Sequence, residues 1–306
     1  MISRTSRESR VESRETVAAG EVGSREESLT PASFSLPARA GNGRNAKLAL
    51  RVISLGYLGL LVAGPVAILI WQTFAGGLAP VVEALTRPAF VHALQLTLII
   101  TLIAVPLNTV FGILFALTIV RREFRGKQVL TALLDLPLGV SPVVVGLALI
   151  IVYGRRGEFG GWLADHGIRV IFALPGMVLA TVFICIPFVA REVIPVLREI
   201  GTEQEQAART LGASGWQIFR LVTFPAIRVG VAFGVVLTTA RALGEYGAVA
   251  IVSGKLSGRT ETMTIHVEER FLALDLTSAY TASLVLATLA LLTLVFMQRL
   301  KPREGH

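Results

Sequence analysis

The chain is short of charge, cysteine and lysine. Charged residues make up 16% of its 306 positions, against about 25% in soluble domains. That deficit excludes an ordinary water-soluble fold. The only cysteine, Cys185, lies in an apolar run. One thiol makes neither an internal disulfide nor a cysteine metal site, and it reads as a small apolar filler. His92, His166, His266 and His306 are scattered, with no HExxH-type spacing. Of four lysines, only Lys127 and Lys255 follow a glycine, and they precede Gln128 and Leu256. No G-x-x-x-x-G-K-[ST] phosphate loop is therefore present. Gly212, Ser214 and Gly215 also miss the spacing of a G-x-S-x-G nucleophile elbow. The chain should hydrolyse nothing itself and bind no cofactor or metal of its own.

What it has is apolar length. Hydrophobic residues reach 53%, and mean hydropathy is +0.67. Six apolar runs lie near 52–74, 93–120, 129–154, 170–195, 226–252 and 277–297. Each meets the requirement of about 20 residues for a helix that crosses a bilayer. A barrel would show shorter alternating segments, and open backbone is not tolerated in lipid. The expected fold is an all-α integral membrane protein with six transmembrane helices.

Residues 1–46 are rich in Ser, Arg, Glu and Gly and have no apolar periodicity, so they read as a disordered tail. They lack the apolar core of a signal peptide. The body then divides into a first span with an external loop at 47–92, a core at 93–298 and a short tail at 299–306. Sixteen lysines and arginines flank one face and seven the other. The positive-inside rule then puts both termini, and the connection between the fourth and fifth runs, in the cytoplasm of a plasma (inner) membrane protein. Topology accounts for the net charge of +8, so no nucleic-acid partner is expected.

That fourth–fifth connection is unusual. Residues 202–225 read TEQEQAARTLGASGWQIFRLVTFP. Thr202 with Glu205 forms a capping-box pattern, which predicts a helix from Thr202, and Ser214 with Gln217 repeats it. Ala207, Ala208 and Leu211 share a short apolar face, and Gly212 suits a helix stop. Pro225 sits where the next span begins. The physics alone permits a connector lying on the headgroups or a two-helix element that docks a partner.

The pattern resembles the E-A-A-x-x-x-G, nine residues, I-x-L-P loop of ABC-importer permeases. Ala207, Ala208, Gly212 and Pro225 fall in register. Gln206 stands where the family has Glu, with Glu205 one residue earlier, and Val222 and Phe224 replace Ile and Leu. The blocks DLPLGVSPVVVGLALI (135–150), PFVAREVIPVLREIGTEQEQAARTLGASGWQIF (187–219) and TTARALGEYGAVAIVSG (238–254) extend the likeness over about 50–297. They resemble the sulfate/thiosulfate ABC importers, most of all the W-type permease subunit. The ALGEYGA block is similar in molybdate and tungstate permeases too. The resemblance implies a type I ABC-importer permease (MetI-like) fold, with residues 198–225 as the coupling loop. It also implies a T-type permease partner, two ATPase subunits that hold ATP and Mg, and an extracytoplasmic sulfate-binding protein. Glu205, Gln206, Ala207, Ala208, Leu211, Gly212 and Pro225 would then couple the chain to the ATPase. A stand-alone secondary transporter is the reading from another class, and no clear internal repeat favours it.

Three ionisable residues lie inside apolar runs: Arg241 and Glu245 in the fifth, Asp135 in the third. Charge at membrane depth costs about 2.5–3.5 kcal/mol per residue on insertion scales. Arg241 and Glu245 are spaced to pair on one helix face. They either line the pathway for an anion or lock the fifth span to a neighbour. Asp135, ahead of Pro137, Ser141 and Pro142, marks a bend that either lines the pathway or serves packing. Pro65, Pro106, Pro187 and Pro195 are expected to bend other spans.

Overall fold

The computed structural model describes residues 43–300. The chain divides into two units, Met1–Leu58 and Gly59–His306. In the first, the described residues 43–58 form the opening part of helix α1 (Gly43–Phe74). The tail expected at 1–46 therefore becomes helical by Gly43, and residues 1–42 lie outside the described residues. So do 301–306, which hold most of the second expected tail.

The second unit contains the rest of α1 and twelve further α-helices among the described residues. These are α2 (Leu78–Thr86), α3 (Pro88–Arg121), α4 (Lys127–Gly139), α5 (Pro142–Tyr153), α6 (Gly160–Asp165), α7 (Leu174–Glu199), α8 (Glu203–Thr210), α9 (Gly215–Ile218), α10 (Phe224–Leu243), α11 (Gly247–Ser253), α12 (Met263–Leu272) and α13 (Leu276–Leu300). A π-helical turn, Phe219–Thr223, joins α9 to α10. Five stretches are long and apolar enough to cross a membrane: Leu50–Phe74, Pro88–Arg121, Leu174–Glu199, Gly215–Leu243 and Leu276–Phe296. Helices α4 and α5 make a sixth only as a pair bent by 112°.

Two of the six expected apolar runs are thus interrupted, although the fifth still supplies an intact crossing stretch that ends at Leu243. In the third run, Pro142 holds the preceding Ser141 in extended backbone (φ −59°, ψ 132°), because its ring disfavours helix one residue upstream. In the fifth run, the helix stops at Leu243 and restarts at Gly247. The two interrupted segments pack on each other. A Cβ on Gly247 would lie 2.8 Å from the Pro142 side chain, and one on Gly146 would lie 2.7 Å from Ile251. The internal prolines of the other spans leave their helices unbroken: α1, α3 and α7 continue past Pro65, Pro106, Pro187 and Pro195.

The centre of the unit is α7, between α3 and α10. Gly112 of α3 and Gly234 of α10 both meet Val189, and Gly230 meets the Glu192 carbonyl. Small residues let helices approach closely where lipid offers little hydrophobic drive. Around these contacts Ile113, Ala116, Val193, Leu197, Ile227 and Val231 form one core. Leu96, Ile100, Met177, Ile184, Val249 and Ile265 form another, nearer the start of α3.

Candidate functional site

The element at 202–225 folds as two short helices about a glycine. Helix α8 begins at Glu203, one residue after the expected start, but its capping box does not form. Thr202 makes no side-chain cap; its Oγ1 instead accepts from Gln206 Nε2 at 3.0 Å. The helix ends as expected at Gly212, whose φ is +84°. The Gly212 N–H donates to Arg209 O and the Ala213 N–H to Ala208 O, the paired bonds of a Schellman stop. The second capping box does form, with Ser214 and Gln217 exchanging bonds. The π turn precedes Pro225, and the Phe224 N–H reaches back to Phe219 O. Proline lacks an N–H and its ring crowds the carbonyl four residues back; a wider turn relieves that crowding.

Gln206, Ala207 and Leu211 are exposed, and Ala208 is half-buried. Leu211 is 89% exposed, so most of the expected apolar face, Ala208 apart, is left open among the described residues. Trp216 and Leu221 of the same element are exposed as well.

Glu205 does something that its place in the sequence did not announce. Its Oε1 accepts from Arg121 Nε (3.2 Å) and Nη2 (3.0 Å), at the end of α3, and from Thr223 Oγ1 (2.9 Å), in the π turn. Arg121 Nη1 donates to Leu197 O of α7 at 3.0 Å. In the sequence Arg121 stands out only as a topology charge, and Thr223 does not stand out. The RREFRGK cluster was the one available signal.

Arg241 and Glu245 pair as expected, with Nη1 and Oε2 2.6 Å apart, although α10 ends between them. The contact is ionic and lacks hydrogen-bond geometry, which leaves Oε2 without a hydrogen-bond partner. Glu245 Oε1 accepts from the Ala248 N–H and so caps the restarted helix. Glu245 is only 1% exposed and Arg241 is 32% exposed. The cavity beside Glu245, lined by Thr97, Thr181 and Thr262 among others, is about 10 Å³. That is scarcely room for one water and none for a tetrahedral oxyanion. Asp135 is half-exposed and pairs with Arg191 of α7 at 2.8 Å, tying α4 to α7. His266, which the sequence left unassigned, is buried with its Nδ1 2.6 Å from Glu261 Oε1.

Residues 108–306 match the family model for the binding-protein-dependent transport system inner membrane component. The chain belongs to that family. It is 48% identical over 260 residues to the sulfate transport system permease protein CysW of Synechocystis, covering 85% of this chain and 94% of the relative. With CysW of Escherichia coli K12 it shares 45% over 251 residues, covering 80% and 86%. With CysT of the same organism it shares 36% over 253 residues, covering 83% and 91%. Among solved structures, a chain of a bacterial ABC transporter that imports alginate aligns with a TM-score of 0.71 at 16% identity, covering 85% of this permease and 96% of that chain. That likeness concerns the fold alone.

Proposed function

We propose that this permease is the W-type membrane subunit of an ATP-driven importer that carries sulfate, and thiosulfate with it, into the cytoplasm. The observation that carries the reading is identity of 45–49% with CysW chains over most of both lengths, against 36% with CysT. The T-type chain is then its partner in a heterodimer. An extracytoplasmic binding protein delivers the anion, and two ATPase subunits hold ATP and Mg. Both termini and the 202–225 element lie on the cytoplasmic side, where positive charge concentrates.

Residues 202–225 are the coupling element. The exposed Leu211, Trp216 and Leu221 support this, since they offer apolar contact on an otherwise polar projection. ATP binding in the partner moves the element, the spans rock, and hydrolysis resets them. Arg241 is an intramembrane cation with open surface, toward which an anion could be drawn. Glu245 holds its guanidinium in place, and Asp135 serves packing through Arg191. The test is reconstitution with the partner subunits. Sulfate uptake that requires ATP and both permeases supports the reading; uptake by the purified chain alone, without ATP, refutes it.

A further inference from the structure

We propose that Arg121 is the positioning residue that makes the 202–225 element and the membrane helices one rigid lever. The inference rests on the coupling role proposed above. No residue of α8 is fully buried and its one half-buried apolar side chain is Ala208, so apolar packing contributes little to holding this helix. Its tie to the bundle is polar. One Glu205 oxygen takes three donors, two from Arg121 and one from Thr223, while Arg121 also grips the Leu197 carbonyl. The ends of α3 and α7, the π turn leading into α10, and α8 therefore meet at a single ion pair.

The Arg121 and Glu205 side chains are only 15% and 12% exposed, which limits competition from water. A guanidinium spreads its donors in a fixed fork, whereas a lysine at the same place would offer a single point charge. A push on α8 cannot leave α3, α7 and α10 behind without breaking at least one of these bonds. Glu205 thus faces inward, into the chain, rather than outward to the ATPase. The exposed Gln206, Ala207 and Leu211 are left as the outward contacts.

The experiment measures sulfate transported per ATP hydrolysed by the complete transporter in proteoliposomes. Arg121→Gln and Arg121→Lys should lower the ratio about tenfold, the scale of one lost charge-assisted contact. Thr223→Val, which removes one donor of three, should lower it about threefold, and Thr223→Ser should keep it. A role in stability alone would reduce the yield of complex and leave the ratio unchanged in what assembles. An unchanged ratio in assembled Arg121→Gln and Thr223→Val overturns the lever. If Arg121→Gln does not assemble, Thr223→Val decides by the same criterion. If the unaltered chain never recovers with an ATPase subunit, the coupling reading itself fails and takes the lever with it.

Discussion

Replacing Gly112 with alanine should loosen the whole bundle, and the structure says by how much. The added Cβ would sit 2.6 Å from Val189 Cβ, 2.9 Å from its Cγ1 and 3.0 Å from the Ala190 nitrogen. Ordinary carbon contacts are about 3.5–4.0 Å, so α3 and α7 must separate by several tenths of an ångström. Val189 cannot retreat, because Gly234 of α10 already presses its other side; a Cβ there would lie 2.7 Å from Val189 Cα. Overpacking of this kind costs about 1–3 kcal/mol. Gly59 of α1 is the internal control, with nothing within 4 Å of its added Cβ. In a helix the same exchange there should stabilise by up to about 1 kcal/mol. Thermal inactivation of the detergent-solubilised permease reads both signs. Gly112→Ala should lower the midpoint and Gly59→Ala should hold or raise it. The Gly112–Gly234 double variant should depart from additivity, because both changes press on one residue. Equal behaviour of the two single variants would refute the packing of α3 on α7.

The remaining predictions concern the site and the loops. Gly212→Pro breaks the Schellman stop, whose Gly212 N–H is a donor, and forces a negative φ on a residue at +84°; it should uncouple ATP hydrolysis from uptake while the protein still reaches the membrane, with unchanged uptake counting against the coupling role. Arg241→Ala should assemble with its partners but import sulfate slowly, read as initial uptake rate. A normal rate would leave the pair with Glu245 as a structural lock only. The Lys255–Glu268 hydrogen bond lowers the Glu268 carboxyl below its ordinary value of 4.5 and raises the Lys255 ammonium above its ordinary 10.5. A lowered carboxylate stabilises above its unfolded value and loses that contribution in acid; a raised ammonium stabilises below its own and loses it in base. The stability gap between wild type and Glu268→Gln should be flat from about pH 6 to pH 9 and shrink below about pH 4, followed by thermal inactivation across pH.

Four of the spans were legible because a continuous apolar run of sufficient length has one interpretation in a bilayer. The breaks were less so. Averaged hydropathy stays high across Val140–Ser141 and across Gly244–Tyr246, since the flanking residues remain apolar while the backbone turns. Pro137, Ser141 and Pro142 marked the first as a bend, whereas Arg241 and Glu245 read as a pair on one continuous helix and gave no sign of the second. The Arg241–Glu245 pair was legible from spacing, yet its geometry differs from the one inferred, because the acid caps a new helix rather than continuing the old one. The Glu205–Arg121–Thr223 clamp left no trace in the sequence beyond the basic cluster that contains Arg121. Arg121 and Thr223 lie 84 and 18 positions from Glu205, and only the folded chain brings the end of α3 to the loop after α7. The Thr202–Glu205 capping box failed for the same reason: the carboxylate found stronger donors outside its own helix than the backbone offered within it.

The central claim is that residues 202–225 form a projection on the cytoplasmic face that a separate ATPase grips. Leu211→Cys tests it directly, because the Leu211 side chain is almost fully exposed and the sole native thiol, Cys185, is buried. With a short thiol crosslinker in membranes that contain all the partners, the account predicts a product joining this chain to the nucleotide-binding subunit, altered in yield by ATP. An introduced thiol that reacts with an impermeant reagent from outside the cell, or that never joins that subunit, would contradict it.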